Sequence, residues 1–130
     1  MARPTLVLLV PGDPLTGLLT ESGLSGYGYD VLVAHSSADA AALLPANRHI
    51  RVLVIDADLP NAMTVTKAAR AANPDLQVVY TSRAPNKLAE REKVTGAPCL
   101  RAPYHPHQLV GVIGGLLRRP SADDRETDAA

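Results

Sequence analysis

The feature that most restricts the fold is a recurring run of apolar residues. TLVLLV (5–10), YDVLVA (29–34), RVLVID (51–56) and LQVVYT (76–81) are short, Val- and Leu-rich, and closed by Pro, Gly, Ser or Asp; a shorter run, CLRA, occupies 99–102. The first, third and fourth are apolar on consecutive rather than alternating residues, the pattern of strands covered on both faces of a parallel sheet. The chain has no Phe, no Trp and four Tyr, so its core must be built from Leu, Val, Ile and Ala, which suits helices packed flat on a β-branched sheet.

Segments with helical spacing lie between the runs. Residues 14–24 read as a helix capped by Asp13 with Pro14 at its first position, though Gly17 and Gly23 weaken it. Residues 37–44 follow a Ser cap and end before Pro45, and the alanine-rich 63–73 is stopped by Asn73-Pro74. Residues 86–94 form the most charged segment, with a thin apolar face. In 106–118, Leu109, Val112, Ile113 and Leu116 share one stripe. Strand and helix therefore alternate five times, which argues for parallel strands joined by right-handed crossovers. The economical solution is a five-stranded, doubly wound α/β sheet of the flavodoxin-like kind, order 2-1-3-4-5, with five helices. Residues 1–119 form the expected domain, and the polar tail 120–130 reads as disordered.

Several function classes fall away. Lys plus Arg and Asp plus Glu both number 13 in 130 residues, so no bulk charge favours nucleic acid. A single cysteine, Cys99, excludes a disulfide framework and fits a reducing compartment. No apolar run approaches membrane-spanning length, so the expected location is cytoplasmic. The glycines at 23, 26 and 28 precede a strand rather than a helix, which makes them a connection and not a phosphate loop. His105 and His107 read as exposed cap residues, and Cys99 as a packed thiol.

In such a sheet ligands bind beyond the carboxyl ends of the strands. Pro11-Gly12-Asp13, Asp56-Ala57-Asp58, Thr81-Ser82 and Ala102-Pro103 should converge there. Asp56, at the end of VLVID, is either a reactive carboxylate or a strand terminator.

These residues, in this order, resemble the receiver domains of bacterial two-component response regulators over roughly 5–118. The resemblance rests on the first strand with its polar turn and Pro14-Leu15, on Asp56-x-x-Leu59-Pro60, on VVYTS (78–82), and on GAPCLRAPY (96–104). It implies Asp56 at the phosphoacceptor position, Thr81 at the switch-hydroxyl position, Pro103 at the cis-proline position, and Asp58 where a backbone carbonyl would bind Mg²⁺. Three positions depart from the pattern: Pro11 and Gly12 replace the acid pair, and Ala102 replaces the lysine. Two carboxylates lost from about 4 Å forfeit a gross attraction of several kcal/mol each at an effective dielectric near 20. The residual acids are Asp13, Asp56 and Asp58.

The resemblance therefore implies a non-enzymatic, single-domain signalling protein with a degenerate phosphorylation site and no cofactor. Its partners would be a histidine kinase, another receiver or regulator, or a second copy. The contact surface would be the last two helices and last strand, through Leu88, Arg91, Arg101, Tyr104, Val110 and Leu117, without nucleic acid or membrane. One alternative is a phosphorylatable regulator using Asp56 and Mg²⁺, with Asp13 as a displaced ligand. The other is a small nucleotide-binding or hydrolytic α/β protein.

Overall fold

The computed structural model describes residues 4–118; the tail expected at 120–130 lies outside them. Five parallel strands form one sheet in the order β2-β1-β3-β4-β5. They are β1 (Leu6–Val10), β2 (Asp30–Val33), β3 (Ile50–Asp56), β4 (Gln77–Ser82) and β5 (Cys99–Arg101). The helices are α1 (Pro14–Gly26), α2 (Ser37–Ala46), α3 (Ala62–Ala72) and α4 (Pro106–Leu117).

The consecutive apolar runs divide by alternation. Leu8, Val10, Leu53, Ile55, Val78 and Tyr80 join one buried cluster, which Ala40, Val65 and Ala69 complete from α2 and α3. Val7, Leu9, Val52, Val54 and Val79 join the other, with Leu24 from α1 and Leu109, Ile113 and Leu116 from α4. Both faces of the sheet are thus buried, which is why β1, β3 and β4 carry no polar alternation.

The caps follow the sequence at two helices. Asp13 and Ser36 are the N-caps of α1 and α2, each accepting a backbone N–H three residues on. α2 differs at its end: it runs through Pro45 to Ala46. Both residues are exposed, so water can satisfy the carbonyl that Pro45 leaves without its helical N–H partner.

The expected fifth helix is a correction. Residues 86–94 do not form an α-helix; two 3₁₀ turns stand there, Pro85–Lys87 and Glu90–Glu92. Leu88 and Val94, the larger apolar residues of the segment, are six positions apart and fall on no common helical stripe. The irregular path instead brings the buried Val94 back to the sheet, where its N–H donates to Tyr80 Oη at 3.2 Å.

Candidate functional site

The carboxyl ends of β1, β3, β4 and β5 surround a cleft of about 480 Å³. Pro11, Gly12, Asp13, Asp56, Asp58, Thr81, Ala102 and Pro103 all line it. The register explains the convergence, because β3 and β4 pair with Asp56 opposite Thr81. The Ala102–Pro103 peptide bond is cis.

Asp56 is half-buried, and its Oδ1 accepts the Asp58 N–H at 2.8 Å. Burial, reinforced by the charges of Asp58 and Asp13, raises its pKa above the ordinary carboxylate value, against that hydrogen bond and the Arg83 guanidinium. Gly12 sits directly against this carboxylate: a Cβ built on Gly12 would overlap Asp56 Oδ2.

The other two acids are engaged elsewhere. Asp13 accepts the Thr16 N–H at 2.8 Å and the Thr16 hydroxyl at 2.7 Å. Those bonds hold its pKa below the ordinary value. The exposed Asp58 accepts the Ser82 hydroxyl at 3.1 Å and the Arg83 N–H at 3.4 Å. No group of three or more His, Cys, Asp or Glu side chains among the described residues is arranged to hold a metal ion.

Arg83, like Thr16, is a cleft residue that sequence reasoning missed. It is exposed, lines the cleft, and acts electrostatically on both Asp56 and Asp13. The available signal was its position just past Thr81-Ser82, at the carboxyl end of β4.

The residues expected on a contact surface are spread more widely. Arg91 and Arg101 are exposed; Leu88, Val110 and Leu117 are half-buried. Tyr104 turns toward α1, its hydroxyl 3.1 Å from Thr20 Oγ1, and burial pushes its pKa up. Cys99 is half-buried beside the first cluster, which raises its thiol pKa. His105 caps α4, its Nδ1 accepting the His107 N–H at 3.1 Å.

The fold and the cleft together define a flavodoxin-like α/β domain with an acidic site at its strand ends. No protein-family model matches the chain. It is 28% identical over 130 residues to the transcriptional regulatory protein AruR of Pseudomonas aeruginosa, covering 92% of this chain and 52% of that protein. It is 32% identical over 121 residues to the transcriptional regulatory protein CpxR of Klebsiella pneumoniae, covering 87% and 49%. The chain thus spans about half the length of the curated relatives it matches.

Among solved structures, a response regulator receiver protein from Sinorhizobium medicae superposes with a TM-score of 0.80 at 27% identity, covering 88% of this chain and 95% of that one. A putative response regulator from Chloroflexus aurantiacus gives 0.77 at 27%, covering 90% and 100%. Over most of its length the described chain thus has the fold of response-regulator receiver domains and is similar to them in sequence. No helix among the described residues is long and apolar enough to cross a membrane.

Proposed function

We propose that this receiver domain signals by protein–protein contact and that its phosphorylation site is degenerate. The observation that carries the reading is the commitment of Asp13. Both of its oxygens are bonded to Thr16, which favours its staying at the α1 cap over its replacing the acids whose positions Pro11 and Gly12 occupy. Mg²⁺ demands near-octahedral oxygen ligation and gives up its waters reluctantly. Asp56, already bonded to the Asp58 N–H, does not meet that demand alone. Nor does a lysine stand at Ala102 to meet charge developing on a transferred phosphoryl group, a role cations serve in such transfers.

The partners of this reading are signalling proteins, a histidine kinase or another receiver, in the cytoplasm. The face proposed to meet them is the one formed by β5, α4 and the segment before β5.

A second reading keeps Asp56 as a Mg²⁺-dependent phosphoacceptor, and Thr81 opposite it at the strand ends favours that. One titration separates the two. Mg²⁺ with beryllofluoride, followed by amide chemical shifts, should leave Asp56 and Thr81 unmoved. Saturable shifts there that Asp56→Asn abolishes would establish the second reading. Restoring charge should create binding if its loss is the cause. The Gly12 overlap makes Pro11→Asp with Ala102→Lys the first combination to make, and Gly12→Asp the later one, since it requires Asp56 to move.

A further inference from the structure

A second concavity, larger than the strand-end cleft, opens between α2 and α3 at the amino end of the sheet, with a volume of about 730 Å³. Its buried residues, Ile50, Val65, Ala69 and Leu76, form the floor, and the exposed Ala41, Ala68 and Ala72 form the walls.

A β-bulge builds the floor. Leu6 pairs with Ile50 but Val7 pairs with Val52, so Arg51 is the extra residue. Unbroken alternation would put Ile50 on the face of Val52 and Val54. Instead Ile50 joins the opposite cluster, with Val65, Ala69 and Leu76. The bulge thus re-aims one apolar side chain into the slot, a use bulges serve beside functional sites. The walls keep the slot open. Ala41, Ala68 and Ala72 are exposed, so their small size leaves room rather than closing a helix contact. The slot is also narrow, because Ile50 and Leu76 line it while only 3% and 2% exposed. A helix, about 10 Å across, spans such an opening without reaching the floor; a single alkyl chain is slim enough to enter.

Arg48 is the one charged residue lining the slot, and it is exposed. Among the described residues no partner holds its guanidinium. Two carbonyls at the end of α2 that would oppose an anion there are already taken: the Asn47 N–H donates to Leu44 and its Nδ2 to Leu43. We propose that this slot binds a free linear alkyl carboxylate, its chain between the alanine walls and its head group on Arg48. An apolar concavity of this size with a few polar groups is the form of a small-molecule site, and a guanidinium suits a carboxylate head. Residues 120–130 of the chain hold no apolar side chain larger than proline, so they do not supply the occupant. The slot and the strand-end cleft lie at opposite ends of the sheet, so this proposal stands or falls independently of the phosphorylation reading.

Monomeric decanoate titrated into the full chain, followed by amide and methyl chemical shifts, tests the assignment. Shifts at Val65, Ala69 and Leu76 should saturate with a dissociation constant of about 1 mM or tighter, while Asp56 and Thr81 stay unmoved. Each methylene added from octanoate upward should tighten binding by up to about fourfold until the slot is full. Arg48→Gln should weaken decanoate about three- to fivefold and leave decanol unchanged. Ala68→Leu, which fills the slot from an exposed helix position, should abolish both with an unchanged circular dichroism spectrum; Ala72→Leu gives the same reading should Ala68→Leu disturb the fold. Shifts that fail to saturate or scatter over the surface, an affinity indifferent to chain length or to Arg48→Gln, or full binding by both leucine variants overturns the proposal. So does a slot already covered by a second copy, seen as a dimer in sedimentation that the leucine variants dissociate.

Discussion

Replacing Tyr80 with Phe removes one oxygen and with it the middle of a buried relay. Val94 N–H donates to Tyr80 Oη at 3.2 Å, and Tyr80 Oη lies 2.6 Å from Thr66 Oγ1, which donates to the Met63 carbonyl at 3.0 Å. Thr66 has one hydroxyl proton and spends it on Met63, so Tyr80 is the donor to Thr66. Tyr80 and Thr66 are both 0% exposed, and water cannot take over. Tyr80→Phe would strand the Val94 amide, at about 1–3 kcal/mol, and lose a further net ~1 kcal/mol from the bond to Thr66. Some of that returns because a phenyl ring needs no hydration, leaving an expected loss of about 2–3 kcal/mol.

Urea unfolding of the two proteins measures the loss directly, with the slope unchanged if the same surface is exposed. Thr66→Val in the Tyr80→Phe background should cost less than it does alone, since the hydroxyls it separates are partners. A loss under about 0.5 kcal/mol, the scale of a neutral surface change, refutes the relay. Strictly additive costs refute the direct bond between the two hydroxyls.

Two further outcomes follow from the site and the helix contacts. Gly23→Ala should destabilise by about 1–3 kcal/mol through overpacking on Pro106, whereas Gly111→Ala, exposed within α4 with open space around its Cβ position, should stabilise by up to about 1 kcal/mol; thermal unfolding of the pair distinguishes them by sign. The folded pKa of Asp56 is raised, so the group favours folding in its protonated state below the unfolded value and loses that advantage as pH rises through the folded value. Asp56→Asn should therefore stabilise at neutral pH, by no more than about 1 kcal/mol at a half-exposed group, and the gain should fade as pH drops into the ordinary carboxylate range. A gain that grows toward acid contradicts the assigned cause.

The sheet was legible because its signal is local. VLVI at 52–55 is apolar on every residue, and only burial on both faces accommodates that. The strand ends then placed Asp56, Thr81 and Pro103 in one cleft by topology alone. Three things were not legible, each for a physical reason. The orientation of α1 leaves Leu15, Leu18 and Leu19 exposed because close approaches at Gly17 and Gly23, to Pro11 and Pro106, outrank leucine burial. The segment 86–94 carries helix-compatible residues but no shared apolar face, and a hydrogen bond from the Val94 N–H to Tyr80 sets its path. Arg83 stands where the end of β4 pointed, but the direction of its long side chain, which brings it into the cleft, is reported by no spacing rule.

β5 is only three residues long and lies at the edge of the sheet. The Ala102 N–H and the Pro98 carbonyl are spent on β4. With the backbone groups of Pro98 and Ala102 facing β4, alternation turns the backbone amides of Cys99 and Arg101 to the open edge, and the next residue in that series, Pro103, has no N–H to offer. Two backbone amides cannot template another strand. Any protein that docks on this margin must therefore grip it by side chains, with Arg101 foremost. A domain whose margin resists strand addition keeps its specificity in side-chain chemistry that single substitutions can rewrite.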